Sequence, residues 1–152
     1  MRRLIVGGLV ALVLVVLLAP WGLYEWGLSN IDGRPVPPHG TKLSAEDDAL
    51  LRHHLNTDSR IPIEPLSPWK YVAALVMSDR EQSPLGNGAY AAWLIARNYN
   101  SSHLKDRHTI YWHLSGAALT IWITRHWTAD QILAGAADLA RKSSQHGASS
   151  GS

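Results

Sequence analysis

The stretch IYWHLSGAALTIWITR, Ile110–Arg125, decides the fold of this chain. Apolar and small side chains recur along it at helical spacing on two opposite faces. One face has Ile110, Leu114, Ala117 and Ile121, and the other has Trp112, Gly116, Leu119 and Ile123. A surface helix has one apolar stripe, whereas a helix that is apolar on both sides is usually buried. Its ends, with His113 and Arg125, are too polar for a membrane span. The stretch therefore predicts a central helix buried on both faces.

An uncharged apolar run, Leu4–Leu23, follows the basic start Met1-Arg2-Arg3. At a helical rise of about 1.5 Å per residue the run reaches about 30 Å, the thickness of a bilayer core. The arginines before the run predict a cytoplasmic N-terminus. Leu17–Pro20 lacks the small-x-small pattern that precedes a signal-peptide cleavage site. We therefore predict a retained transmembrane signal anchor over residues 1–26, with the lipid bilayer as partner and the rest of the chain outside the cytoplasm.

Beyond the anchor the sequence divides into a linker, a helical region and a polar tail. Residues 27–43 are rich in proline and glycine, which predicts a tether. In residues 44–141, Ser44 and Thr128 each start a capping pattern, and no strand pattern occurs. We predict helices at 68–77 and 89–99, a polar loop at 100–105, and a disordered tail at 142–152. The predicted fold class is all-α: one transmembrane helix and a small helical domain around the buried central helix.

The composition excludes several kinds of site. The 152 residues include no cysteine, which excludes disulfides, thiolate metal sites and a cysteine nucleophile. The formal net charge of +2 includes Arg2 and Arg3, and no basic stripe favours nucleic acid as a partner. The evenly spaced His103, His108 and His113 do not share a helix face, because five residues rotate by about 140°. Since no Walker loop, Gly-x-Ser-x-Gly elbow or His-Glu-x-x-His occurs either, we predict no metal and no cofactor.

Three segments, in order, resemble the peptidoglycan glycosyltransferase domain of bifunctional penicillin-binding proteins and monofunctional transglycosylases. They are ALVMSDR at 74–80, GAYAAWLIARN at 88–98 and WITRHWTADQIL at 122–133. The family has there an approach to Glu-Asp-Arg, the motif Gly-Ser-Thr-Ile-Thr-Gln-Gln-Leu-Ala-Lys-Asn, and an apolar helix ending in a Glu-Arg-Arg-like corner. The resemblance implies a lysozyme-like or transglycosylase-like helical core in the bacterial cell envelope, held on the periplasmic side of the inner membrane.

The departures from the family pattern fall on its functional residues. Ser78 stands where the family has its catalytic glutamate, and Gly116 stands where it has the second one. The segment that carries the family's membrane-dipping jaw is reduced to residues 81–87. Glycosyl transfer needs a carboxylate to deprotonate the acceptor hydroxyl. The resemblance therefore implies a reduced, catalytically degenerate relative that binds peptidoglycan precursor or glycan strands.

The candidate ligand contacts lie in the first two of these segments. Arg80, Arg97 and Asn98 match the family pattern, and Trp93 adds a ring that would stack on a sugar. Guanidinium groups hold phosphates through bidentate, charge-assisted hydrogen bonds. We therefore expect these side chains to converge on one pocket for a sugar diphosphate.

Two other interpretations stay open. In the first, Asp79 and Glu81, which flank Arg80, act as the acid/base pair of a working enzyme that forms or cleaves glycosidic bonds. This requires a second carboxylate about 5 to 10 Å from the first. In the second, the chain is a structural single-pass subunit whose helices pack on a larger membrane complex. The sequence does not decide between these and the degenerate binding protein.

Overall fold

The computed structural model describes residues 2–38, 43–77, 85–106 and 108–149, and this part of the chain is helical. Its helices are α1 Arg2–Ser29, α2 Ala45–His54, α3 Pro68–Met77, α4 Gly86–His103, α5 Thr109–His126 and α6 Ala129–Ser149. No strand occurs in these ranges, which contain only one isolated antiparallel bridge, between Ile31 and Leu104. The predicted all-α fold class is confirmed.

Local capping explains several helix starts. The Ser44 hydroxyl accepts a hydrogen bond from the Asp47 N–H at 3.0 Å before α2. Before α6 the Thr128 N–H donates to Gln131 Oε1 at 2.8 Å, and the Gln131 N–H donates to Thr128 Oγ1 at 3.3 Å. Both predicted helix starts are confirmed, because the caps satisfy N–H groups that have no partner within the helix. Helix α3 begins at Pro68, where a missing N–H is tolerated.

Helix α5 lies at the centre of the domain. It packs lengthwise against α4 and against the second half of α1, with shorter contacts to α3 and α6. Its buried residues are Ser115, Gly116, Ala118, Leu119, Thr120, Ile121, Ile123 and Thr124. Ile110 is 68% exposed, and Trp112 and Leu114 are half-buried. Burial on both faces is therefore confirmed at Leu119, Ile121 and Ile123 and wrong at Ile110, which α1 and α3 leave uncovered.

Helix α1 has two halves with different surroundings. The side chains of Val6–Leu18 are about half exposed or more, and they belong to the segment Val6–Ser29, which is long and apolar enough to cross a membrane. In the second half, Tyr24 is 8% exposed and belongs to the core of the domain. A Cβ at Gly27 would lie 2.7 Å from the Leu114 carbonyl oxygen of α5. The candidate membrane span therefore continues, without a break in the helix, into the folded domain.

The predicted tether begins inside α1 and continues as packed chain. After Ser29 the backbone runs beside the end of α4, where the Asp32 N–H donates to the His103 carbonyl at 2.9 Å. The Lys105 N–H donates to the Asn30 carbonyl at 3.0 Å. At least residues 27–32 are thus part of the domain rather than a linker to it.

Two polar stretches that were predicted to be irregular are helical. Helix α4 continues to His103, which corrects the predicted loop from residue 100. Helix α6 continues to Ser149, which corrects the predicted disorder over residues 142–149. The physical reason is that short polar side chains here bond to the helix itself: the Ser101 hydroxyl donates to the Asn98 carbonyl at 2.7 Å, and the Ser143 hydroxyl donates to the Ala140 carbonyl at 2.8 Å.

Candidate functional site

A small cavity of about 160 Å³ lies between α3, α4 and α5, and it is called the polar pocket here because Arg97 and Asn100 line it. Its polar, aromatic and glycine lining consists of Trp93, Arg97 and Asn100 from α4 and Trp112, His113 and Gly116 from α5. Tyr71 and Leu75 of α3 close a third side, and burial raises the pKa of the Tyr71 hydroxyl. None of the described residues that line this pocket carries a carboxylate. The pocket therefore offers a cation, an amide and aromatic rings to a ligand.

The side chains of Trp93 and Arg97 form one stack on the surface of α4. The Arg97 guanidinium carbon lies 5.3 Å from the centroid of the Trp93 ring, a cation–π contact. Tyr90, one turn earlier in the helix, stacks on the same ring with a centroid distance of 5.3 Å and an interplanar angle of 27°. Both neighbours contact the ring that was predicted to stack on a sugar, and Trp93 remains half-buried at the edge of the pocket. Trp93 therefore positions Arg97, which is exposed and makes no ion pair with any described carboxylate.

Asn100 is fully buried and its amide is held by α5. Its Nδ2 donates to the Trp112 carbonyl at 2.8 Å, while its Oδ1 has no hydrogen-bond partner among the described residues. An unpaired buried acceptor costs free energy. Because Oδ1 itself is buried, a ligand hydroxyl or N–H would reach it only if the surrounding side chains moved. Asn100 was not identified as a candidate site residue, because residue 100 was predicted to begin a loop. Its position three residues after Arg97 was the available signal, because such residues are neighbours on a helix.

Gly116 lies in the polar pocket at the position where the resemblance places the second glutamate. A Cβ built on Gly116 would meet only Asn100 Nδ2, at 3.7 Å, an ordinary contact distance. The position therefore has room for a side chain but contributes no acid. Since Ser78 lies outside the described residues, the described part of the pocket contains no carboxylate that could act as a general base.

An apolar groove of about 310 Å³ adjoins the polar pocket. Its floor is the α5 stripe Ile110, Leu114, Ala117 and Ile121, and its walls include Pro20 and Leu23 of α1 and Pro68 and Val72 of α3. The groove and the polar pocket share Tyr71, Leu75, His113 and Ala117. Because Pro20 and Leu23 belong to the candidate membrane span, the groove lies between that span and the polar pocket.

The other predicted site residues lie elsewhere or outside the described residues. Asp79, Arg80 and Glu81 fall within 78–84, which the structure does not describe. Asn98 is exposed and lines a different cavity, of about 450 Å³, beside α6. Consecutive helical residues point about 100° apart, and Arg97 and Asn98 are therefore not brought together.

Neither a search for metal ligands nor a comparison with known proteins assigns a function to this site. The described residues contain no group of three or more His, Asp or Glu side chains that could hold a metal ion. No protein-family model, curated protein or solved structure matches the chain. The resemblance to the glycosyltransferase domain therefore rests on the three sequence segments given above.

Proposed function

We propose that this chain is a membrane-anchored, transglycosylase-like protein of the bacterial cell envelope that binds lipid-linked peptidoglycan precursor or glycan without polymerising it. In this proposal α1 crosses the inner membrane once, the N-terminus is cytoplasmic, and the helical domain lies in the periplasm. The observation that carries the proposal is that the apolar groove and the polar pocket are adjacent and share four lining residues. A ligand with a hydrocarbon chain and a charged sugar head matches both parts.

The apolar groove suits the chain of such a ligand. Its volume of about 310 Å³ is at the lower end of the range of about 300 to 1,000 Å³ that small-molecule sites occupy. The hydrocarbon chain of such a ligand is already in an apolar environment in the bilayer, so the groove would stabilise it through packing contacts and not through transfer from water. Since the groove begins beside Pro20, a chain entering from the bilayer would not have to cross water.

The polar pocket suits one group of the head. Arg97 is exposed and supplies a guanidinium for a phosphate. The unpaired Asn100 Oδ1 is buried, and it would accept from a sugar hydroxyl or amide only after a local rearrangement of the pocket. At about 160 Å³ the pocket is smaller than a complete small-molecule site. The rest of the head would therefore extend past Arg97 into solvent.

The lack of carboxylates in the described part of the pocket supports binding without turnover. Gly116 supplies no side chain where the similar family has a glutamate, and Ser78 replaces the other one. We expect purified protein to form no glycan polymer from lipid-linked disaccharide. Turnover that disappears in Asp79→Asn would refute the proposal and support the working enzyme.

Binding of lipid-linked disaccharide to the full chain in lipid nanodiscs tests the proposal directly. Arg97→Ala should weaken binding about ten- to a hundred-fold, because a charge-assisted hydrogen bond contributes about 1.5 to 3 kcal/mol. Arg52→Ala is the matched control, since Arg52 lies on α2, which lines neither cavity. Equal affinities of Arg97→Ala and the unmodified chain, or no binding by the unmodified chain, would favour the structural subunit of a larger complex.

A further inference from the structure

We propose that Trp21, Trp69 and Arg125 form an interfacial cluster at the level of the lipid head groups, in which Arg125 binds lipid phosphate. The cluster surrounds the turn of α1 at which the helix enters the folded domain. It would be a second contact with the membrane, beside the span itself, and it does not depend on the ligand proposed above.

The first observation is the change of surroundings along α1. Leu18 is 62% exposed, and the apolar residues before it are exposed to a similar degree. By contrast, Pro20 is buried and Tyr24 is 8% exposed. A helical segment whose apolar side chains are all exposed is suited to the hydrocarbon of a bilayer. A segment that is packed into a folded domain is not. The apolar run of the sequence continues to Leu23, but the packing places the bilayer boundary near Trp21.

The second observation is the attachment of α3 to the same turn. The Trp69 indole N–H donates to the Leu17 carbonyl at 3.1 Å, although the ring is 39% exposed. Pro20 has no N–H to donate to the Val16 carbonyl, which weakens the hydrogen-bond ladder of α1 at this point. A tryptophan with an apolar exposed ring and a satisfied N–H is typical of membrane–water interfaces.

The third observation is the position of Arg125. Its guanidinium carbon lies 5.6 Å from the centroid of the Trp21 ring, and its Nη1 donates to the Leu66 carbonyl at 3.4 Å. The side chain is exposed and pairs with no carboxylate of the described residues. Its other N–H groups are thus free to bind a phosphate, for which the planar guanidinium is suited.

The cluster also defines the length of α1 that lies in hydrocarbon. Leu17 and Trp21 are about one turn apart, so Trp69 and Arg125 contact neighbouring turns of the helix. From Leu4 to Pro20 the helix rises about 25 Å, a few Å less than a bilayer core of about 30 Å. Such a mismatch costs little and is met by local thinning of the bilayer and by flanking arginines.

Single cysteines locate the boundary, because the natural chain has none. In nanodiscs of phosphatidylcholine and phosphatidylglycerol, Leu14→Cys should react with a polar maleimide at least about ten-fold more slowly than Ser101→Cys, because no water reaches the hydrocarbon core. Glu25→Cys, on the far side of the cluster and outside the groove, should react at a rate close to that of Ser101→Cys. Protection of Glu25→Cys equal to that of Leu14→Cys would overturn the proposed boundary.

Solid-state NMR tests the phosphate contact. With ¹⁵N-labelled arginine side chains in the same bilayers, part of the guanidinium signal should be dephased by lipid ³¹P. Arg125→Ala, or the more conservative Arg125→Gln, should reduce this dephasing, while Arg52→Ala should leave it unchanged. Undiminished dephasing in both Arg125 variants would overturn the assignment of Arg125 as a phosphate ligand.

Discussion

The two apolar faces of α5 have similar patterns in the sequence and different surroundings in the structure. On the closed face, Leu119 and Ile123 are both 0% exposed. On the open face, Ile110 is 68% exposed and Ala117 is half-buried in the floor of the apolar groove. The difference arises because α4 lies along α5 for most of its length, whereas α1 and α3 leave part of the other face uncovered. An apolar stripe thus marks a face that needs a partner, but it does not say whether the partner is protein.

The largest expected effect is a difference in the free energy of unfolding between substitutions on the two faces of α5. Leu119→Ala should lower the free energy of unfolding by about 2 to 5 kcal/mol through lost transfer energy and a cavity. Ile110→Ala should cost less than about 1 kcal/mol, since little of its surface is removed from water. Leu114→Ala, half-buried at the groove, should fall between them. Denaturant unfolding in detergent measures all three, and equal losses would remove the distinction between the faces.

A pair of glycines tests where the chain is tightly packed. A Cβ at Gly88 would clash with the Pro62 carbonyl oxygen, so Gly88→Ala forces a backbone shift and should cost about 1 to 3 kcal/mol. Gly116→Ala has room and should be neutral or stabilising by up to about 1 kcal/mol, because alanine favours a helix. Thermal unfolding of both variants makes the comparison. A destabilised Gly116→Ala would show that the polar pocket is closed.

Filling the open face should affect binding more than stability. Val72→Trp, at a wall that the groove does not share with the polar pocket, would obstruct the groove and should weaken binding of lipid-linked disaccharide by about ten-fold or more, or about 1.4 kcal/mol. The affinity for the water-soluble disaccharide diphosphate should change much less. An equal loss for both ligands would assign the effect to the polar pocket instead of the groove.

The smallest effect should be found between α2 and α6, away from both faces of α5. A hydrogen bond with Ser44, and then the ion pair with Arg141, hold the pKa of Asp47 below its usual range. A lowered folded-state pKa contributes stability that is present above the unfolded value of about 4 and is lost as the pH falls through the folded value. Asp47→Asn should therefore reduce the acid sensitivity of unfolding slightly. Identical pH profiles for both proteins would contradict this.

The local features of the fold were predictable. The bounds of α3, the caps at Ser44 and Thr128, the end of α5 at His126 and the apolar span follow from prolines, capping side chains and hydrophobic runs. These signals act within a few residues and do not need a partner from elsewhere in the chain. The continuation of α4 and α6 through polar residues was missed, because serine side chains can bond either to a loop or to the helix itself.

The candidate site was predictable only where one helix carries it. Trp93 and Arg97 lie four residues apart, and a helix brings such side chains together without tertiary packing. Asn100 and His113 enter the polar pocket from different helices, so their proximity depends on how α4 packs against α5. The spacing of residues in the sequence does not predict the distance between Asn100 and His113.

The residue order alone predicts a helical protein, one apolar helix long enough to cross a membrane and an α5 that is apolar on two sides. The packing of the helices shows that α1 continues into the core, that one face of α5 is closed by α4, and that the other forms the floor of a groove beside the candidate membrane span. The physical reason is that periodicity reports which side chains avoid water. Which surface covers them is set by the packing of segments far apart in the chain.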